Sequence, residues 1–406
     1  LHNRGIELLG LTKEDVTHAL AGELPSDVRR VLELRQQLGK TSNTKYETIA
    51  ASAGPDHRVR GTLQFYGASR TGRWAGRLLQ VQNLPRTYLD HQAEWRSIVK
   101  LHDPEALALL TDNVSDTLSQ LIRTALVPGK GYTFVDADFS AIEARLIAWL
   151  AGEDWVLDVF RTTGKIYEAT AARIFGVPFD SIVKGNPNYK YRQRGKVATL
   201  ALGYQGGVGA MKRMGGDQLG LDDDGLQDIV NRWRRQNPRI CKLWRRMQDA
   251  AVHTIRTGKT TQPRAGVIFR KELAPDFPFP FLTLQLPSGR KLYYADPRVS
   301  DDGHIHYREQ TNAGWQDSET YGGKLTENLT QAVGRDCLAF ALDNLRKAGY
   351  RVVFHVHDEV IIELPDTQDA DAALQDVVRI MSQVPPWAEG LPLSAAGWHG
   401  DFFTKD

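Results

Sequence analysis

The spacing of apolar and polar residues divides the chain into helical, extended and irregular segments. Residues 1–40 place apolar side chains such as Val28 among charged ones, a spacing typical of helices. Residues 54–90 have little periodicity and are rich in glycine, arginine and amide side chains. Residues 155–260 and 324–346 again predict helices, and the first of these segments is rich in basic residues. At 406 residues the chain is long enough for two or three lobes around a substantial core.

One predicted strand leads directly into acidic residues. Residues 132–135 are β-branched and aromatic, which suits a buried strand. Ser140 with Glu143 three residues later predicts a capping box that starts a helix. Asp138 is therefore expected where a strand ends and a helix begins, held rigidly and able to reach a metal ion. An ordinary surface aspartate before a helix is the alternative that this segment alone leaves open.

A second acidic site follows from a predicted hairpin. Residues 351–356 and 360–364 both read as strands. His357, Asp358 and Glu359 lie between them, so the pattern predicts a tight hairpin with acidic groups at its tip.

Three further patterns in the C-terminal half of the chain indicate local features more weakly. His355 and His357 share a strand face, but two histidines without further ligands indicate zinc only weakly. Residues 286–294 read as a turn that leads into a strand. Residues 397–403 are aromatic enough to dock against the core.

A predicted basic helix lies between the two acidic sites in the sequence. It covers residues 191–204 and is followed by two glycines. Arg192, Lys196 and Leu200 recur at intervals of four and so share one helix face. A bidentate guanidinium beside an ammonium group suits a triphosphate. A solvated basic face is the alternative for such a helix in isolation.

Several polar segments have a composition that suits nucleic acid. In residues 54–90, Arg73, Gln82 and Asn83 belong to a series of arginines and amides spaced by glycine, which suits close approach to a polyanion. A polar surface loop is the alternative. Lys40 and Lys45 can touch a phosphate backbone, although the surrounding sequence does not have the glycine spacing of a phosphate-binding loop.

The arginine-rich segment around Trp233 and Trp244 either follows a phosphate backbone or forms a pair of amphipathic helices. The tryptophans favour the helix pair with both rings packed inward, and the role of the arginines stays open.

Composition narrows the class of protein. Charged residues make up 25% and hydrophobic residues 41%, as in soluble globular proteins. Because the net charge is only +2, contact with nucleic acid must depend on local basic patches. Two cysteines provide no disulfide framework or zinc cluster and fit a reducing compartment. No apolar run reaches membrane-spanning length, and no signal-peptide plan is present, so we expect no membrane partner.

The two acidic sites and the basic helix together suggest metal-assisted phosphoryl transfer. Neighbouring carboxylates repel each other when ionised unless a cation lies between them, and aspartate oxygens prefer a hard ion such as Mg²⁺. Two such ions can activate an attacking hydroxyl and stabilise a leaving pyrophosphate. These residues alone leave open whether water or a sugar hydroxyl is the nucleophile.

Three segments resemble the catalytic motifs of family A DNA polymerases, in the same order. Residues 138–145 resemble the first carboxylate motif, residues 192–204 the fingers helix, and residues 357–359 the second carboxylate motif. Weaker similarity covers nearly the whole chain. The resemblance implies an α+β right-hand polymerase fold with an antiparallel-sheet palm, helical fingers and a truncated helical thumb.

The resemblance also implies a domain order along the chain. The expected regions are a thumb remnant (1–60), a first part of the palm (61–154), the fingers (155–280) and a second part of the palm with the hairpin (281–406).

By the same resemblance, Asp138 and Asp358 bind two Mg²⁺ ions, which Mn²⁺ can replace, and the Phe139 carbonyl assists. Arg192 and Lys196 grip the incoming deoxynucleoside triphosphate, and Lys196 also protonates the pyrophosphate. The expected partners are this nucleotide and primer–template DNA.

The remaining expected roles concern the nucleotide and the DNA. Tyr204 matches the residue that stacks near the templating position, and Glu143 matches a steric gate that leaves no room for a 2′-hydroxyl. Arg73 resembles the arginine that reads the minor groove at the primer terminus. The residues expected to contact DNA are Arg73, Gln82, Asn83, Gln331 and His357.

Three residues depart from the family pattern or stand beside it. Leu200 replaces the usual aromatic residue of the fingers helix, which puts the usual handling of dideoxynucleotides in question. Tyr167 stands where many relatives have a histidine that touches the triphosphate, and it can donate one hydrogen bond but carry no positive charge. Asp136 is expected to be a spectator that adds negative field.

The leading hypothesis is a template-directed DNA polymerase of the cytoplasm of a bacterial or phage-infected cell. The alternatives are an inactive fragment that binds primed DNA, a single-subunit RNA polymerase, which Glu143 disfavours, and a metal-dependent nuclease, which has no use for the basic helix.

The chain starts at Leu1 rather than methionine, as a fragment of a longer protein would. No stretch upstream of the motifs can hold a proofreading domain, so we expect no 3′–5′ exonuclease activity, and low processivity from the short thumb. Nucleotide release from a primer end would refute the first of these. A processivity partner is possible but not evident in the sequence.

Overall fold

The computed structural model describes residues 10–38, 41–311 and 313–405. Its helices are α1 (Lys13–Ala21), α2 (Ser26–Leu38), α3 (Thr44–Ser52), α4 (Gln92–Lys100), α5 (Pro104–Leu110), α6 (Val114–Leu121), α7 (Ile142–Ala151), α8 (Asp154–Thr162), α9 (Ile166–Phe175), α10 (Lys190–Leu202), α11 (Val208–Arg213), α12 (Asp223–Gln236), α13 (Pro238–Thr257), α14 (Gly322–Lys347) and α15 (Ala370–Met381). Its strands are β1 (Leu63–Gln64), β2 (Ala75–Gly76), β3 (Tyr132–Phe139), β4 (Thr261–Arg264), β5 (Val267–Leu273), β6 (Pro280–Gln285), β7 (Lys291–Val299), β8 (Ile305–Thr311), β9 (Gly314–Thr320), β10 (Val352–Val356), β11 (Glu359–Pro365) and β12 (Ala395–Gly400).

A four-stranded antiparallel sheet in the order β10-β11-β3-β12 holds both predicted acidic segments. The predicted strand and hairpin are confirmed as β3 and as β10 with β11. In this sheet Asp138 lies opposite Glu359 on one side and Ala396 on the other. A Cβ at Gly397 would overlap the Asp136 carbonyl oxygen, so only glycine lets β12 lie this close to β3.

The main hydrophobic core lies between this sheet and the helices that pack on it. It joins residues of β3, α7 and α14, among them Val135, Leu146 and Leu329, all of which are fully buried. The chain end also packs inward, because Phe403 is fully buried in a second cluster with Phe134. The expected docking of the aromatic tail is therefore confirmed.

Helices α8 to α13 confirm the helical prediction for residues 155–260. Trp233 and Trp244 are buried and stacked, with ring centroids 6.2 Å apart, as the inward-packing prediction requires. Six antiparallel strands follow in chain order from β4 to β9, where the sequence had indicated only the turn and strand at 286–294. This sheet crosses the expected boundary at residue 280, since β6 begins there and pairs with both β5 and β7.

Within residues 10–38 the chain forms the helices α1 and α2, as predicted, whereas the rest of the predicted helical segment 1–40 lies outside the described residues. Val16, Val28 and Leu32 form a small core of their own. Residues 54–90 contain only the two-residue strands β1 and β2 and a short 3₁₀ turn, as their lack of periodicity predicts. None of the helices in the described part of the chain is long and apolar enough to cross a membrane.

Candidate active site

The carboxylates of the two acidic motifs meet at one edge of the four-stranded sheet. Asp138 is near the end of β3, and Asp358 lies in the turn between β10 and β11. The Phe139 N–H donates to the Asp358 carbonyl oxygen at 3.2 Å, which ties the turn to the end of β3. The pairing of β3 with β11 thus joins residues that are far apart in the sequence.

The carboxyl groups of Asp136, Asp358 and Glu359, which neighbour Asp138, are poorly solvated. Burial raises the pKa of Asp136 to about 9, and the negative charge of the neighbouring Glu359 is the second cause of this rise. Burial, followed by the charge of Asp138, raises the pKa of Asp358 to about 7. Burial also raises the pKa of Glu359. Because like charges in such a place are unfavourable, the cluster favours a cation among its oxygens.

A lysine from the C-terminal tail supplies a cation in this structure. The Lys405 Nζ lies 3.2 Å from Asp138 Oδ2 and 3.1 Å from Glu359 Oε2. Burial opposes the charged form of Lys405, but Glu359 and Asp138 together raise its pKa above the ordinary value.

The acidic site has the donor set of a divalent metal site. Asp138 Oδ1 is buried and has no hydrogen-bond partner among the described residues. Hard oxygen donors with a lone pair left over suit Mg²⁺. Within the described ranges no three Asp, Glu, His or Cys side chains are already arranged as a metal cage, so binding requires the side chains to rearrange.

Glu143, in the first turn of α7 just after β3, bonds two residues from distant parts of the sequence. Its Oε1 accepts a hydrogen bond from Arg73 Nη2 at 2.8 Å, and its Oε2 accepts one from the Tyr204 hydroxyl at 3.0 Å. The predicted capping box is wrong. Helix α7 begins at Ile142 after Ala141, whose φ of 51° turns the chain without any side-chain cap, so the Glu143 carboxylate is free for these two partners.

Helix α10 carries the predicted cationic face. Arg192 Nε donates to Glu168 Oε1 at 2.7 Å, and its guanidinium lies 5.6 Å from the centroid of the Tyr167 ring. Lys196 has neither an ion pair nor a side-chain hydrogen bond within the described residues, and Leu200 is 47% exposed. The helix therefore presents a fixed guanidinium and an uncommitted ammonium group.

Close packing fixes the position of α10. A Cβ at Gly195 would overlap the Tyr167 carbonyl oxygen of α9, so the two helices approach each other over a residue without a side chain.

The structure gathers several of the residues expected to contact DNA. Arg73, Gln82 and His357 line one small crevice together with Trp74 and Arg335. Arg335 donates to the Gly72 carbonyl at 3.0 Å, and its guanidinium lies 4.5 Å from the Trp74 ring.

The other polar candidates are not part of this crevice. Gln331 lies one turn before Arg335 on α14 and bonds Glu327 at 3.3 Å, whereas Asn83 bonds Gln80 at 3.0 Å. Lys45 donates to the Leu78 carbonyl at 3.4 Å, and Lys40 lies outside the described residues.

Four residues of this region were not singled out from the sequence: Glu168, Arg335, Glu359 and Lys405. Glu359 could have been identified from the sequence, because it belongs to the second acidic motif. Glu168, Arg335 and Lys405 act through partners that are distant in the sequence, and no local pattern indicates them.

The fold defines the class of protein. The solved structure titled "POL domain of Pol1 from M. smegmatis complex with DNA primer-template and dNTP" matches with a TM-score of 0.62 and 17% identity, covering 96% of this chain and 55% of that one. The mixed helices and antiparallel sheets of this chain are thus a right-hand polymerase fold, as the sequence predicted.

Sequence comparison identifies the family. Residues 7–268 match the sequence profile of DNA polymerase family A. The DNA polymerase of Bacillus phage SP02 is 46% identical over 412 aligned residues, which cover 100% of this chain and 62% of that protein. DNA polymerase I of Pseudomonas aeruginosa is 27% identical over 248 residues, covering 60% of this chain and 22% of that protein. The chain belongs to DNA polymerase family A, and it spans less than two thirds of the length of these relatives.

Proposed function

We propose that the chain is a template-directed DNA polymerase that adds deoxynucleotides to the 3′ end of a primer. The observation that carries this proposal is the meeting of Asp138, Asp358 and Glu359 at one sheet edge. The Tyr204–Glu143 hydrogen bond then ties the start of α7, just after β3, to the segment that follows the cationic helix α10. The relative from M. smegmatis, solved with primer-template and dNTP, supports the same pair of partners for this chain.

The acidic site fits divalent ions, and Asp138, Asp358 and the Phe139 carbonyl would hold them. Two bound Mg²⁺ ions, or Mn²⁺ in their place, would supply Lewis acidity for the attacking primer hydroxyl and for the leaving pyrophosphate. The unpartnered Asp138 Oδ1 supports this assignment.

The other residues bind and orient the substrates. Arg192, held at a fixed angle by Glu168, binds phosphate oxygens in a bidentate manner. Lys196 binds the triphosphate as a mobile point charge and donates a proton to the leaving pyrophosphate. Tyr167 donates one hydrogen bond to a phosphate, and Leu200 packs against the nucleotide.

Contacts to the duplex come from the crevice around Arg73, Gln82 and His357, with Asn83 and Gln331 farther along the DNA. Tyr204 stacks at the templating position, and Glu143 excludes the 2′-hydroxyl. The four-stranded sheet then forms the palm, the helices of residues 155–280 the fingers and the N-terminal helices a short thumb.

The decisive experiment is extension of a labelled primer on a template strand with Mg²⁺, supplied with either deoxynucleotides or ribonucleotides. We expect extension with deoxynucleotides and its loss in the double variant Asp138→Ala/Asp358→Ala. The matched control is Asp158→Ala/Asp343→Ala, which removes two carboxylates from exposed helical ion pairs.

Tight binding to primed DNA without extension would instead favour a non-catalytic DNA-binding fragment. Efficient ribonucleotide extension would favour an RNA polymerase, and degradation of the primer would favour a nuclease.

A further inference from the structure

The two residues that precede Lys405, Phe403 and Thr404, are held by contacts with distant parts of the chain. Phe403 is fully buried, its N–H donates to the Leu126 carbonyl at 2.9 Å, and its ring meets the Phe354 ring edge-on at 5.3 Å. Thr404 Oγ1 donates to Gln92 Oε1 at 2.8 Å. These contacts deliver the next residue, Lys405, to the edge of the sheet.

Lys405 then joins the ends of two strands. Its ammonium group bonds Asp138 of β3 and Glu359 of β11 at once, and its side chain is 25% exposed. Nearby arginines have other partners, since Arg73 bonds Glu143 and Arg123 bonds the Leu84 carbonyl. Among the described residues Lys405 is the only cation hydrogen-bonded to either of these two carboxylates.

We propose that Lys405 is an internal competitor for the metal site: it neutralises Asp138 and Glu359 when no divalent ion is bound, and it leaves Asp138 when one binds. This inference rests on the proposed function, because it concerns the metal site assigned there. Lys405 thereby sets the metal affinity of the site.

Physical chemistry supports an exchange of this kind. Without a cation, clustered carboxylates repel each other, so the lysine keeps the empty site compact. A divalent ion at Asp138 would repel an ammonium hydrogen-bonded to the same carboxylate. The flexible four-carbon stem of lysine lets the ammonium move away while Phe403 and Thr404 stay docked.

The size of the effect follows from the occupancy of the lysine. A ligand that binds only the lysine-free site has its apparent affinity reduced by the fraction of molecules in that state. If the lysine occupies the site about nine-tenths of the time, its removal tightens metal binding about tenfold.

The test is a calorimetric titration of the DNA-free protein with Mn²⁺. Lys405→Met and Lys405→Gln are compared with wild type and with Lys347→Met, which removes a lysine from an exposed ion pair with Asp343. We expect both Lys405 variants to bind Mn²⁺ about three to ten times more tightly, and Lys347→Met to match wild type. Asp138→Asn should weaken binding in every background.

Unchanged or weaker binding in both Lys405 variants would overturn the inference, and so would the absence of Mn²⁺ binding in all the proteins. The titration needs neither DNA nor nucleotide, so its outcome is separate from the primer-extension test. A protein that fails to extend primers but binds Mn²⁺ more tightly without Lys405 would refute the polymerase assignment and leave the competitor role standing.

Discussion

The hydrogen bonds of Glu143 lead to a quantitative prediction about sugar selection. If Glu143 is the steric gate, a ribonucleotide must push its carboxylate away from both partners, Arg73 and Tyr204. The Tyr204 bond is worth about 1 kcal/mol. The Arg73 pair, whose side chains are 24% and 40% exposed, adds about 0.5–1 kcal/mol after solvent screening.

Displacing the gate therefore costs about 1.5–2 kcal/mol, a factor of about 10 to 30 in relative rate. We expect Glu143→Ala to lower the preference for deoxynucleotides by at least about tenfold. Tyr204→Phe, which keeps the ring but removes the hydroxyl, should lower it by about fivefold.

The assay is single-nucleotide primer extension, in which kcat/KM is measured for a deoxynucleotide and for the matching ribonucleotide. Tyr350→Phe is the control, because its hydroxyl bonds Asp376 on α15 rather than Glu143. An unchanged ratio in Glu143→Ala would refute the gate. If the ratio of the two kcat/KM values changes in Glu143→Ala but not in Tyr204→Phe, the view that Tyr204 holds the gate in place is refuted.

Three further predictions concern packing, ion pairing and protonation. Gly195→Ala should raise KM for deoxynucleotides and lower the free energy of unfolding by about 1–3 kcal/mol, because the added Cβ forces α10 away from α9. Gly209→Ala is the control and should do neither, since the nearest atom to a Cβ at Gly209 is 3.8 Å away. Equal effects of the two substitutions would contradict the prediction. Glu363→Ala should lower the free energy of unfolding, measured with denaturant, by about 2–3 kcal/mol. The reason is that the Glu363 side chain is only 1% exposed and its carboxylate accepts hydrogen bonds from Arg58 and from the Gly129 N–H. A loss below about 0.5 kcal/mol would contradict this prediction. Burial, then the charge of Arg335, lowers the pKa of His355 to about 4, below the unfolded value. The unfolded chain therefore binds the proton first, and stability present above about pH 6.5 falls by about 2 kcal/mol by pH 5; His355→Phe should lack this part of the pH dependence.

Local patterns were sufficient for the elements that carry the site. The β-branched run before Asp136 predicted β3, and the acidic residues between two apolar runs predicted the turn of β10 and β11. Both signals lie within a few residues, the range over which turn chemistry and side-chain alternation act. The same reasoning failed at Ser140, because a left-handed residue at Ala141 starts α7 in a way that composition does not reveal.

The six-stranded sheet was largely missed for a related reason. Two of its strands, β4 (Thr261–Arg264) and β9 (Gly314–Thr320), carry few apolar residues, so their alternation is weak. Pairing with neighbouring strands, rather than their own composition, makes them strands.

The sequence by itself determined the family and the polymerase fold, since these follow from short motifs and their order. It also singled out Asp138, Asp358, Arg192 and Lys196 as candidate site residues. Only the tertiary structure decided how they are joined. Glu143 meets Arg73 across 70 residues and Tyr204 across 61, and Lys405 meets Asp138 across 267. Such contacts depend on strand register and helix packing over the whole core, and no local propensity carries that information.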